Sequence, residues 1–330
     1  MKAIIFEQPG GEEVLKIGEA PAPEMGPEDL RIRVRATAVN RADLMQRQGM
    51  YPPPPGASLI LGLECAGDVT QVGKAVAGWK VGDRAMALLA GGGYAEDVVV
   101  HHGSAMAVPG TLSWEEAGAL PEVYLTAFLN LFMLGAIKTG GIALVHGGGS
   151  GVGTAAINLL REAGMRSIVT AGSADKCARC RSLGADAAIN YNDGDFSQPV
   201  RDATGGRGVD VVLDCVGGRY LAQNVDCLAP DGRLVIIGLI GGAKAEVNLA
   251  LLLIRRLQII GSTLRTRSLG EKAKIVRRFQ ERFGAALAAG RIKPVIDRVL
   301  PLAQAAEAHR IVQSSTHFGK VVLRVGHDAA

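Results

Sequence analysis

A chain of 330 residues with 48% hydrophobic and 21% charged residues has the composition of a folded globular protein and the length for two domains, which excludes a disordered chain and a small disulfide-held module. Its 36 Lys and Arg against 32 Asp and Glu leave a net charge of only +4, and 44 Gly stand beside just 7 Phe, 5 Tyr and 2 Trp. Neither a basic phosphate-tracking surface nor a set of base-stacking rings is written there, so nucleic acid is not an expected partner.

In chain order, Met1 to Glu7 has too short an apolar run for an export signal and meets an acid at once. Leu30 to Ala38 alternates apolar positions with Arg31, Arg33, Arg35 and Thr37, the period of two of a half-buried strand. Met50 to Gly56 carries Pro52 to Pro55 and reads as a surface loop, because proline has no backbone donor and disfavours helix before it. Val81-Gly82-Asp83-Arg84 reads as a turn between strands. Residues 1–121 are therefore expected to form an irregular β-rich domain. The apolar stretch Val123 to Ile137 falls short of the ~20 residues that span a bilayer, so no membrane partner is expected. Five scattered cysteines, 65, 177, 180, 215 and 227, suit reduced packed thiols better than a disulfide framework, and imply a cytoplasmic compartment.

From Gly141 short apolar runs alternate with helical patterns. The runs are Ile142 to His146, Ser167 to Ala171, Ala187 to Asn190, Val209 to Cys215, Arg233 to Gly238 and Leu257 to Ser262. Helical patterns between them include Gly151 to Ala163, Asp175 to Leu183 and Tyr220 to Leu228. This predicts an α/β fold, a Rossmann doubly wound parallel sheet of six strands, over residues 122–264. A helix-rich segment, Gly270 to Ala289, then Leu300 to Ser314 and a last strand, Gly319 to Val325, are expected to return to the first domain as residues 265–330.

The strongest chemical signal is the buried strand ending at His146, the glycine-dense turn Gly147-Gly148-Gly149-Ser150-Gly151-Val152-Gly153, and the apolar helix after it. Glycines let backbone N–H groups approach a pyrophosphate, and the helix N-terminus adds positive dipole. Two registers fit: G-x-G-x-x-A at Gly151, Gly153 and Ala156, or G-x-x-S-x-x-G at Gly147, Ser150 and Gly153. NAD enzymes place an acid at the end of the second strand to hold the ribose 2′-OH. Here that strand ends Val169-Thr170-Ala171-Gly172-Ser173, without one. Ser173 and Lys176 would instead welcome a 2′-phosphate, which favours NADPH over NADH; Asp175, the competing acid, stands where a helix opens.

A zinc site needs several N or S ligands, and none can be assembled. Cys177 and Cys180 fall on one predicted helix without a second pair, and His101, His102 and His146 read as lone structural imidazoles. The chemistry is expected to run without metal.

The chain resembles, over essentially its whole length, the zinc-free NADPH:quinone oxidoreductases, zeta-crystallin-like members of the medium-chain dehydrogenase/reductase superfamily. The resemblance is carried by Val39 to Gly49, Gly62-Leu63-Glu64, Val81 to Arg84, Gly93 to Glu96, Leu125-Thr126-Ala127, the glycine loop, Thr170 to Ser173 and Gly319 to Leu323. Zinc enzymes of the superfamily have His where Leu63 stands. The resemblance implies a GroES-like first domain, a homodimer continued through the edge strand near Leu257 to Ser262, and a cleft between domains. It places nicotinamide near Thr126, Ile237 and Gly238, and Asn40, Asp43 and Tyr51 on the substrate side. Ser173, Lys176 and Tyr191 would surround the 2′-phosphate. Plainer roles stand beside these: Asn40 capping a turn, Asp43 as N-cap of Leu44 to Gln48, Thr126 bonded to its own helix, Tyr191 as a loop aromatic.

The expected activity is NADPH-dependent reduction of quinones, which are conjugated and electrophilic enough to need orientation more than a Lewis acid. The alternatives are reduction of activated alkenes and a non-catalytic NADPH-binding protein.

Overall fold

Short apolar segments at the N-terminus pair first. In the computed structural model, which describes residues 1–326, β1 (Lys2–Ile5) and β2 (Lys16–Glu19) form an antiparallel ladder. The alternating segment becomes β3 (Asp29–Ala38), which buries Leu30, Ile32, Val34 and Ala36 and leaves the intervening arginines less enclosed. After α1 (Arg41–Arg47) and the proline-rich loop come β4 (Glu64–Val72), β5 (Arg84–Leu88), β6 (Asp97–His101) and β7 (Ala105–Ala107), then α2 (Trp114–Gly118) and α3 (Pro121–Phe128). Pro121 opens α3, where its missing N–H leaves no helical bond unmade. Residues Leu129–Leu134 continue as a π turn, in which Asn130 Nδ2 donates to the Thr126 carbonyl at 2.7 Å.

The alternating region gives β8 (Ile142–His146), α4 (Gly151–Glu162), β9 (Arg166–Ala171), α5 (Ala174–Leu183), β10 (Ala187–Asn190), α6 (Ser197–Ala203), β11 (Val209–Asp214), α7 (Leu221–Cys227), β12 (Leu228–Ile236), α8 (Leu249–Arg255) and β13 (Gln258–Gly261). The six strands are all parallel, in the order β10-β9-β8-β11-β12-β13. This is the doubly wound fold, with its order reversing between β8 and β11. Apolar side chains such as Leu144, Ile168, Val212 and Leu234 fill the layer between sheet and helices.

The remaining elements are α9 (Leu269–Ala288), β14 (Ile296–Pro301), α10 (Ala305–Ser314) and β15 (Lys320–Arg324). β15 runs antiparallel to β3, and β14 parallel to β15, so the mixed sheet reads β14-β15-β3-β4-β5-β7 with β6 also on β3. The sequence pattern missed β14: Ile296-Asp297-Arg298-Val299 lacks a clean period of two, and its hydrogen bonds come from β15. Two compact units result, Met1–Leu125 with the segment from Leu264 onward, and Thr126–Thr263. Among the described residues no helix is long and apolar enough to cross a membrane.

Candidate active site

In the unit built on β8 to β13, the residues of the glycine loop take distinct backbone roles. Gly147 has φ +70°, the left-handed region that glycine enters without strain. Ser150 is the N-cap of α4, its Oγ accepting the Gly153 N–H at 3.0 Å. A Cβ on Gly153 would lie 2.2 Å from the Gly147 carbonyl oxygen, so the backbone requires glycine at 153. Gly151 and Val152, the first two residues of this twelve-residue helix, have N–H groups with no intrahelical acceptor. Open donors at the positive end of a dipole, on a loop without side chains in the way, fit a dinucleotide pyrophosphate.

The loop is braced from behind. His146 Nε2 donates to Asn224 Oδ1 at 2.7 Å and Nδ1 accepts from the Thr170 hydroxyl at 2.9 Å, a neutral imidazole that burial holds down at about 4. Asn224 Nδ2 donates to Asp214, whose carboxylate also accepts the N–H groups of Val216 and Gly217. Burial pushes Asp214 up to about 6, against those bonds. The same strand end receives β12: Ile237 N–H donates to the Asp214 carbonyl at 2.7 Å, and Gly238 packs so close that a Cβ would sit 2.9 Å from the Cys215 carbonyl. Ile237 and Gly238 thus lie at the end of β12, beside the loop that follows β11, with β8 and β11 between β12 and β9.

At the end of β9 no carboxylate caps the next helix. Ser173 does, its Oγ accepting the Lys176 N–H at 3.1 Å. Tyr191 follows β10 and lays its hydroxyl over Gly172, where a Cβ would come within 2.4 Å. Gly172, Ser173, Lys176 and Tyr191 therefore share one corner. Asn192, which the sequence did not single out, joins them by donating Nδ2 to the Gly172 carbonyl at 2.8 Å. Thr126 is buried on α3; among the described residues its hydroxyl makes no hydrogen bond, so it is the Thr126 carbonyl, not the hydroxyl, that the helix uses.

In the other unit, Asn40 and Asp43 are the two halves of one capping box on α1. Asn40 is the N-cap and Asp43 the third helical residue, its Oδ2 accepting the Asn40 N–H at 2.8 Å. The cap role expected for Asp43 thus falls to Asn40, because the helix begins three residues earlier than Leu44. Asp43 Oδ1 holds the Gly62 N–H at 2.9 Å, and burial pushes its carboxyl up to about 6. The Asn40 amide donates to Glu64 Oε1 at 2.9 Å and accepts from Lys320 Nζ at 2.6 Å. Lys320 and Glu64 form a fully enclosed ion pair at 2.8 Å, next to buried Leu63.

Tyr51, half-buried in the proline-rich loop, has the Arg265 guanidinium 5.4 Å from its ring centroid. Arg265 also donates to the carbonyls of Tyr51 and Ala90 and to Gln46 Oε1, tying the loop to α1. Desolvation raises the Tyr51 phenol. Sequence reasoning missed Arg265, Lys320 and the pairing role of Glu64; the available signal was an acid beside Leu63 in an apolar setting, which demands a basic partner.

Among the described residues no group of three or more His, Cys, Asp or Glu is placed to hold a metal ion. Cys177 and Cys180 pack into the face of α5 with their thiols raised by burial, and none of the five cysteines is in a disulfide.

The alcohol dehydrogenase GroES-like domain matches residues 26–110 and the zinc-binding dehydrogenase family residues 151–281. The synaptic vesicle membrane protein VAT-1 homolog of Rattus norvegicus is 33% identical over 99% of this chain and 84% of its own length. Quinone oxidoreductase of the same organism is 31% identical, over 98% of this chain and 97% of its own. Among solved structures, an NAD-dependent alcohol dehydrogenase superposes with TM-score 0.86 at 35% identity, over 99% of this chain and all of that one. Escherichia coli quinone oxidoreductase complexed with NADPH gives TM-score 0.86 at 30% identity, over 98% and 100%. With a GroES-like domain, a doubly wound nucleotide sheet and Leu63 in place of a zinc-binding histidine, the chain belongs to the zinc-free quinone oxidoreductases of the medium-chain dehydrogenase/reductase superfamily.

Proposed function

We propose that this protein reduces quinones with NADPH, without a metal ion. The observation that carries the cofactor choice is the corner after β9, where Ser173 caps the helix that bears Lys176, the Tyr191 hydroxyl lies over Gly172, and no carboxylate takes the cap position. A 2′-phosphate gains charge-assisted hydrogen bonds there, and a 2′-hydroxyl lacks the acid that NAD enzymes offer it. Gly147, Ser150, Gly151, Val152 and Gly153 would hold the pyrophosphate, and Thr126, Ile237 and Gly238 the nicotinamide. Bound NADPH supplies a hydride equivalent. The chain's own part is to orient a conjugated acceptor, with the Tyr51 hydroxyl as hydrogen-bond donor to its carbonyl and Asn40 and Asp43 fixing the α1 side.

Steady oxidation of NADPH by a simple benzoquinone or an ortho-quinone, with little by NADH, is the expected result. Inactivity across a broad quinone panel overturns the reading; a saturated ketone formed from an enone supports alkene reduction instead. Two copies are proposed to pair through the edge strand β13, beside which Leu253, Ile254 and Ile259 are exposed. Sedimentation at the monomer mass would remove that pairing. A reducing, cytoplasmic compartment is proposed from the five unbridged cysteines.

A further inference from the structure

Ionisable side chains from six segments surround Glu122, the second residue of α3. Glu64 of β4 accepts the Glu122 backbone N–H at 2.9 Å through Oε2. Lys320 of β15, Asp43 of α1 and Lys272 of α9 all act on its carboxyl, as it acts in turn on Arg265 and Tyr51. Glu122 Oε2 is nevertheless enclosed with no hydrogen-bond partner among the described residues. The Lys272 side chain, on a residue only 5% exposed, makes no hydrogen bond or ion pair with any described residue. An acid and a base both brought out of water, and neither bonded to the other, are a net cost to the fold.

Their placement gives them another use. Glu122 and Thr126 lie four residues apart on α3 and share one face, so the acid stands one helical turn from the residue assigned to nicotinamide. Burial, reinforced by the charge of Glu64, pushes Glu122 up to about 8, so it keeps its proton at neutral pH.

We propose that Glu122 is the proton donor of the reduction and that Lys272 balances the carboxylate it leaves behind. The proposal rests on the quinone-reductase reading above. The acceptor takes a hydride, two electrons and one hydrogen, from the reduced nicotinamide, which is oxidised, and the acceptor oxygen becomes anionic. The O–H bond of Glu122 then breaks, its electron pair stays on the carboxylate, which the charge of Lys272 favours, and a new O–H bond forms on the acceptor. Solvent returns one proton to Glu122 per turnover.

The test compares the full-length protein with its E122Q and K272M variants. Glutamine copies the neutral acid in size and charge, so E122Q is expected to fold. In nucleotide-free protein, infrared-detected titration should show a carboxyl losing its proton around pH 8. That transition should be absent from E122Q and shifted to higher pH in K272M. In steady state with a benzoquinone, wild-type kcat/KM should fall above about pH 8. E122Q should lose about a hundredfold in kcat and the alkaline limb with it, at unchanged KM for NADPH, and the limb of K272M should move up. An active wild type whose E122Q variant keeps its kcat and its alkaline limb overturns the assignment of Glu122 alone. A wild type inactive with every quinone overturns the quinone reading and removes the proton's acceptor.

Discussion

Lys320 has 3% of its surface exposed, and its ammonium is held by Glu64, Asn40 and the Val39 carbonyl. Removing the base alone leaves Glu64 charged in the interior, so Lys320→Met is expected to lower stability by about 3–5 kcal/mol in urea denaturation. The double variant E64Q/K320M should recover most of that loss, because no uncompensated charge remains. At the surface corner after β9 the expected consequence is specificity instead. Lys176→Ala should raise KM for NADPH about tenfold, roughly 1.4 kcal/mol, and leave KM for NADH unchanged in parallel assays. Lys176 and Ser173 were legible in the sequence because they sit at a fixed offset from a recognisable strand. Lys320 was legible only as part of a strand pattern, since nothing near it in the chain announces Glu64.

Between β8 and α4 two element-level preferences conflict at Gly153. Alanine is the better helix former by about 1 kcal/mol. Its Cβ, however, would stand 2.2 Å from the Gly147 carbonyl oxygen and 2.7 Å from Gly148, backbone that cannot step aside as a flexible side chain would. The clash wins: Gly153→Ala should lower the melting temperature and weaken NADPH binding at least tenfold in a fluorescence titration, through displacement of the Gly151 and Val152 donors. The capping box of α1 shows the limit of reading caps locally. Asn40 and Asp43 both carry cap chemistry; Asn40 is the N-cap, and Asp43 is the third helical residue, with one oxygen on the Asn40 N–H and the other on the Gly62 N–H.

Across the whole molecule, buried titratable groups set how stability follows pH. His146 and His309 are held down at about 4 and about 3 by burial, so unfolding takes up protons and stability rises with pH up to the ordinary histidine range. Asp43 and Asp214, pushed up to about 6, oppose this rise, because the unfolded chain releases their protons first. Above about pH 6.5, the ordinary histidine value, Glu122 is the main group of these still differing between the two states, up to about 8. Stability should therefore fall by about 2 kcal/mol between those pH values, read as a declining melting temperature, and E122Q should flatten the decline. The order of strands and helices, the nucleotide loop and its missing acid could be read from the residues alone, because periodicity, glycine and helix caps act within a few positions of the chain. The strand β14, the Arg265 clamp on Tyr51, the Lys320–Glu64 pair and the stranded couple of Glu122 and Lys272 could not. Each depends on burial and on a partner delivered from a remote segment, and the cost of a charge or an unmade hydrogen bond exists only once the fold has closed water out around it.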